Sequence, residues 1–143
     1  MKIYIINPKT EGLETIKDWK KVEKPESAEW IVIENNDGKR FRMHKKDLIK
    51  QMTQPSAIGA AKKAGGRLGT RREWMDVGDA RFEGLDEAIS LIGGDSLDYK
   101  WYWTEEKHQR NANYGWLFSG TSGNLNNYGR VNTYHARVFH AFF

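Results

Sequence analysis

Residues 101–143 decide how this chain is read. They contain Trp101-Tyr102-Trp103-Thr104-Glu105, Tyr114-Gly115-Trp116-Leu117-Phe118, Gly123-Asn124-Leu125-Asn126-Asn127-Tyr128 and Ala136-Arg137-Val138-Phe139-His140-Ala141-Phe142. Bulky aromatics recurring in short runs predict buried strands. Between the runs lie Asn, Ser, Thr, Gly and Tyr with few charges. Asn, Ser and Gly favour turns, and Asn and Tyr are also good recognition residues. The expectation is a rigid aromatic core carrying an Asn/Tyr surface. Trp74, Trp101, Trp103, Trp116 and Phe139 are assigned to that core. Tyr102, one step out of phase with Trp101 and Trp103, is expected on the other, exposed side of its strand.

The rest of the chain reads as support. A length of 143 residues fits one domain with a small N-terminal appendage. An aromatic content of 13% within 38% hydrophobic residues is enough to bury a core, which excludes a disordered chain. The absence of cysteine excludes disulfides, thiolate metal sites and a cysteine nucleophile. The run Met1 to Ile6 is too short for a signal peptide and Pro8 follows at once, so cytoplasmic synthesis is expected. No segment reaches bilayer length. The net charge of +4 hides an asymmetry: residues 1–72 hold 17 Lys/Arg against 9 Asp/Glu, residues 73–143 hold 6 against 10. The basic half admits nucleic acid as a partner. Its charges are scattered among Glu and Asp, however, and read better as a solvated face.

Local signals place the elements. Lys2 to Ile6 predicts a strand. Ile16, Trp19 and Val22 fit one helical face or a short irregular strand. Trp30 to Glu34 and Lys39 to Met43 flank Asn35-Asn36-Asp37-Gly38, so residues 28–44 predict a β-hairpin. His44 to Met52 predicts a short helix. Ser56 is read as the N-cap of a clearer helix over Ala57 to Ala64, closed by Gly65-Gly66. Thr70 and Glu73 have capping-box spacing before the helix that carries Trp74 and Val77. Leu85, Ala88, Ile89 and Ile92 lie on one face of a further helix.

Gly66-Arg67-Leu68-Gly69-Thr70 with Glu73-Trp74 resembles the Gly-Arg-Leu-Pro-Thr…Glu-Trp segment of C-type-lectin-like domains related to formylglycine-generating enzymes. Trp101 to Glu105 is similar to that family's Tyr-Trp-Ser-Ser-Thr segment, Gly115-Trp116 to its Ala-Trp, Gly123-Asn124-Leu125 to its Gly-Asn-Val turn and Ala136-Arg137-Val138 to its closing Val-Arg-Pro. The ordered set spans residues 57–143. It departs from the pattern at Gly69, where Pro is usual, and at Val138-Phe139, where the closing Pro is missing. The resemblance implies an α+β, C-type-lectin-like fold, with helices followed by a twisted, mostly antiparallel sheet over residues 51–143. The N-terminal strand and β-hairpin region, residues 1–50, precedes it.

A phage and gut-bacterial branch of this family carries C-terminal repeats diversified by retroelements, with Asn, Tyr and Ser at the variable positions. The resemblance therefore implies a ligand-binding face, here Asn111, Asn113, Tyr114, Asn124, Asn126, Asn127, Tyr128, Asn132 and Tyr134, expected as one contiguous exposed patch. An ordinary Asn-rich loop set in a non-diversified relative is the other reading. The family's oxidase activity needs a cysteine pair, which this chain lacks. Its sulfoxide synthases hold iron on an additional domain, for which there is no room. His44, His108, His135 and His140 show no metal spacing, and Asp95, Asp98, Glu105 and Glu106 fix no calcium site. The resulting expectation is a non-catalytic module with no cofactor or metal, binding a protein or glycan, with homo-oligomer formation open. The alternative is a structural or assembly component of a phage or prophage particle. Arg67 and Arg137 are expected to tie loops to carboxylates or carbonyls.

Overall fold

The computed structural model describes residues 1–142, and of Lys20 the backbone alone. Phe143, the end of the decisive stretch, lies outside the described residues. Strands β1 (Lys2–Ile6), β2 (Leu13–Thr15), β3 (Trp30–Glu34) and β4 (Arg40–Asp47) come first. Helices α1 (Gln54–Lys63), α2 (Arg71–Ala80) and α3 (Leu85–Leu91) follow, then β5 (Trp101–His108), β6 (Asn111–Ser119), β7 (Leu125–Gly129) and β8 (Arg137–Ala141). The chain is α+β, with two antiparallel sheets in the orders β2-β1-β3-β4-β8 and β5-β6-β7.

The hairpin forms as its sequence dictates. The Asn35 side-chain oxygen accepts the amides of Asp37 and Lys39, both at 3.0 Å, which closes the turn between β3 and β4. The helix expected over His44 to Met52 is absent. Strand β4 continues to Asp47, which pairs with Arg137, and the Leu48 and Met52 amides donate to the Ala136 and Tyr134 carbonyls. Partners from the far end of the chain claim the backbone groups that a helix would have used. Over Leu13 to Val22 the short strand β2 and a single 3-10 turn at Trp19–Lys21 take the place of a helix.

Helix α1 is capped by Thr53, whose hydroxyl accepts the Ser56 amide, so the expected cap sits inside the first turn. Pro55 occupies the opening positions, where its missing N–H has no partner to lose. The capping box of α2 is complete: Thr70 Oγ1 accepts the Glu73 amide at 3.1 Å and Glu73 returns to the Thr70 amide at 3.0 Å. Glu73 also takes both arms of the Arg67 guanidinium, at 2.6 and 2.8 Å, as the fork geometry favours.

Two hydrophobic clusters hold the layers. The larger joins Ile3, Ile5, Ile31, Ile33, Phe41 and Met43 of the five-stranded sheet to α2, α3, Tyr102 and Phe118. The smaller joins Ala57 and Ala61 of α1 to Leu68, Trp103, Leu117, Ala136 and Val138. Adjacent residues of one strand point to opposite faces. Tyr102/Trp103 and Phe118/Leu117 therefore bury the small sheet on both faces. Tyr102 is correspondingly fully buried against Trp74, at 4.8 Å between ring centroids, and not exposed as its phase suggested. Trp74, Trp103 and Phe139 are core, whereas Trp101 and Trp116 are half-exposed.

Candidate ligand-binding face

Register fixes which side chains share a face of the small sheet. Gly115 pairs with Tyr128 and Leu117 with Asn126; Trp116 pairs with Asn127 and Phe118 with Leu125. Asn126 and Tyr128 thus stand on the face of Leu117 and Trp103, while Asn127 and Tyr114 stand on the face of Phe118 and Trp116. On the first face four aromatic rings form a chain. Trp101 lies 5.9 Å from Tyr128, Tyr128 lies 6.0 Å from Tyr134, and Tyr134 lies 5.3 Å from Trp103. Trp103 is fully buried and donates its indole N–H to the Met52 carbonyl at 2.8 Å. Tyr128 is exposed, and Trp101 and Tyr134 are half-exposed. The rings therefore run from a fixed anchor in the core out to solvent, so the outer ones are positioned before any ligand arrives. Burial, and then the neighbouring Tyr128, hold the Tyr134 hydroxyl above its ordinary pKa, so it remains a neutral donor.

None of the nine candidate side chains is buried, but they do not make one patch. Tyr128, Tyr134 and Asn126 are brought together. Tyr114 and Asn127 face the other way. Asn111 starts β6 and Asn124 faces its far end at Ser119, about 26 Å apart at strand spacing. The single-patch expectation fails because strand alternation and hairpin geometry divide residues that are close in sequence. Local bonding further reduces the set. Asn111 Oδ1 accepts the Asn113 amide at 3.1 Å and Asn126 Oδ1 accepts the Asn127 amide at 2.9 Å, so both also serve the backbone.

Support beneath this face comes from a residue the sequence reading did not single out. Gln54, the first residue of α1, is fully buried. Its amide donates to the Thr104 and Glu106 carbonyls at 2.9 and 3.1 Å, where the β5–β6 pairing is irregular. Its oxygen accepts Arg130 Nε at 2.6 Å, tying down the turn after β7. Gly115 leaves the space for this amide, since a β-carbon there would overlap the Gln54 side chain. Trp101 and Met52 also belong to the neighbourhood of the face, which aromatic content alone did not reveal.

The opposite face holds a second exposed group. The Arg71 guanidinium lies 4.7 Å over the Trp116 ring, and His108 stacks on that ring at 5.4 Å. Strand β6 runs past the start of α2, which leaves Trp116 beyond the core. Neither group presents a nucleophile beside a base, the geometry that covalent catalysis requires. Among the described residues no three His, Asp or Glu side chains gather to hold a metal ion. No known protein-family model matches this chain, and no curated protein sequence is significantly similar to it.

Proposed function

We propose that this chain is a ligand-recognition module of the C-type-lectin-like type that does no chemistry itself, and that it binds a protein or a glycan through the face centred on Tyr128 and Tyr134. The observation that carries the reading is the aromatic chain from buried Trp103 through Tyr134 to exposed Tyr128 and Trp101. Tyrosine offers a broad, stiff contact with few rotors to freeze, and the asparagines around it offer donor and acceptor at once. The order of the elements supports the fold assignment: helices, then a three-stranded antiparallel sheet, then a last strand returning to β4. Helices followed by mostly antiparallel strands is the order implied by the resemblance over residues 57–143. The same reading places the protein among phage or prophage variable proteins. A template repeat beside its gene, matching residues 101–143 except at adenines, is the genomic sign of diversification.

The binding test is direct. The protein is screened on glycan arrays and on displayed host surface proteins, and each hit is re-measured with the Tyr128→Ala/Tyr134→Ala double variant. Loss of about 2 kcal/mol or more, roughly thirtyfold in Kd, is expected. An Asn111→Ala/Asn124→Ala control, at the two ends of the ladder, is expected to bind as the parent does. Hits that ignore the tyrosine substitutions rule this face out as the binding site.

A further inference from the structure

We infer that the outer edge of β7 is a second site, which takes an extended, uncharged polypeptide segment as a fourth strand beside β5-β6-β7. The other sheet edges are covered or short. Arg67 and Phe139 exchange both backbone hydrogen bonds along β8, at 3.0 and 2.7 Å. The outer side of β5 is taken by His135, which bonds Trp101 and Trp103, and by Gly69, which accepts the Glu105 amide. Strand β2 has only three residues, and its outward Thr15 carbonyl accepts the Asp18 amide at 2.9 Å.

Strand β7 differs. Ser119 donates to the Asn124 carbonyl and Arg130 to the Asn113 carbonyl, so these are hydrogen-bonded pairs of the ladder. The paired register carries the same pattern to Leu117/Asn126 and Gly115/Tyr128. Leu125, Asn127 and Gly129 therefore turn their backbone groups away from β6. The Asn126 side chain accepts the Asn127 amide, and the Asn132 amide donates to the Gly129 carbonyl. Among the described residues nothing is bonded to the outward groups that remain: the Leu125 N–H and C=O, the Asn127 C=O and the Gly129 N–H. These four groups, spread over three alternate residues, match another extended main chain, which is how strand addition gains its affinity.

The surroundings choose the chemistry of that chain. Natural edges are commonly blunted with charge or proline, and β7 contains neither. The nearest guanidinium groups are engaged: Arg130 with Gln54, and Arg81 with Asp86, Asp98 and the Gly120 carbonyl. Positions 71, 75 and 78 form one stripe of α2 at helical spacing, and Phe82 follows it in the 3-10 turn Arg81–Glu83. Arg71 covers Trp116, and a β-carbon at Gly78 would lie 3.4 Å from the Phe118 ring. The stripe therefore follows the sheet face over β6, the neighbour of β7. The other two residues are apolar and exposed, Met75 at 51% and Phe82 at 91%. Phe82 lines a cleft of about 250 Å³ with Gly78, Gly123 and the Arg81–Asp86 ion pair, just ahead of β7. An added strand would meet Met75 and Phe82 on that flank, beside an Arg81–Asp86 pair that is already engaged. Strand β7 also carries Tyr128, but the test below reads main-chain amides, so its failure leaves the Tyr128/Tyr134 reading untouched.

The test titrates the 15N-labelled protein with a terminally blocked heptapeptide of alternating Leu and Thr. The same peptide N-methylated at every second amide is the paired probe. Saturable shifts of the Leu125, Asn127 and Gly129 amides below about 1 mM are expected, and the N-methylated probe is expected to bind at least about tenfold more weakly. Asn127→Pro places its ring at the edge without removing a bond to β6 and should abolish the shifts, whereas Asn127→Ala should keep them. Equal binding of both probes, or no saturable shift at these three amides, overturns the proposal. Shifts that depend on protein concentration without peptide also overturn it, since the occupant is then a second copy of this chain.

Discussion

Trp74 shows how much one residue can hold. Its ring packs at 4.8 Å against both Tyr102 and Phe118 and at 4.9 Å against Phe139, joining both sheets through α2. Trp74→Ala is expected to cost about 3–5 kcal/mol, read as a lowered denaturant midpoint. Its indole N–H has no acceptor among the described residues, so Trp74→Phe loses contact area but no hydrogen bond and should cost less. A β-carbon at position 69 would lie 2.8 Å from that indole nitrogen, which explains the glycine there. Asn126→Ala, on the exposed face, should stay within about 0.5 kcal/mol. Two histidines add a pH dependence. Burial holds His44 and His135 below the ordinary imidazole pKa. The unfolded chain therefore binds protons more readily, and stability is present above about pH 6.5 and lost as pH falls through it. Melting temperatures measured from pH 7.5 down to pH 5.5 should decline, by a modest amount because both rings are partly solvated. The decline should flatten in a His44→Gln/His135→Gln variant.

Among the elements, those built from local bonds were legible. The capping box of α2 could be read from Thr70 and Glu73 because both partners lie within one turn, and the β3–β4 hairpin from Asn35 to Gly38 for the same reason. The stretch after His44 could not, since its strand depends on Arg137, Ala136 and Tyr134, some 90 residues on. Gln54 was invisible for a related reason: it starts a helix, yet its role is to satisfy carbonyls 50 and 52 residues away. Gln54→Leu leaves those two buried carbonyls without a donor. A loss of about 1–3 kcal/mol for each is expected, seen in denaturation and as faster amide exchange along β5 and β6. Gly115→Ala should produce the same exchange signature by pushing the amide out. The candidate site divides in the same way. Its Asn and Tyr content is plain in the sequence, but which of them share a face depends on a register that only the folded sheet supplies.

At the scale of the molecule, one buried network fastens the two ends of the chain. Arg137 is fully buried, donates to Asp47 Oδ1 through Nε at 2.9 Å and Nη2 at 2.7 Å, and reaches the Asp95 carbonyl at 2.6 Å. Lys100 completes Asp47 at 2.7 Å. The expectation that Arg137 binds carboxylates or carbonyls is met, although its partner lies across the sheet and not in a neighbouring loop. Asp47→Ala leaves a guanidinium buried without its counter-charge and is expected to cost about 3–5 kcal/mol, measured by urea denaturation. Arg42 over Trp30 at 4.8 Å, on the outer side of the same sheet, is partly exposed and should matter less.

The pairing of β4 with β8 also sets a clock. The Asp47–Arg137 contact closes a loop of 90 residues, and such distant pairings make for slow folding, in the millisecond-to-second range for β-rich domains. On the ribosome the delay is longer. At roughly 5–20 residues per second, about 5–18 s separate the synthesis of Asp47 from that of Arg137. For that interval β4 has a hairpin partner on one side and nothing on the other, and Phe41 and Met43 wait for a strand not yet made. The nascent chain is then most exposed to chaperones and to mispairing, and Trp101, Tyr128 and Tyr134 are all synthesised before that interval ends.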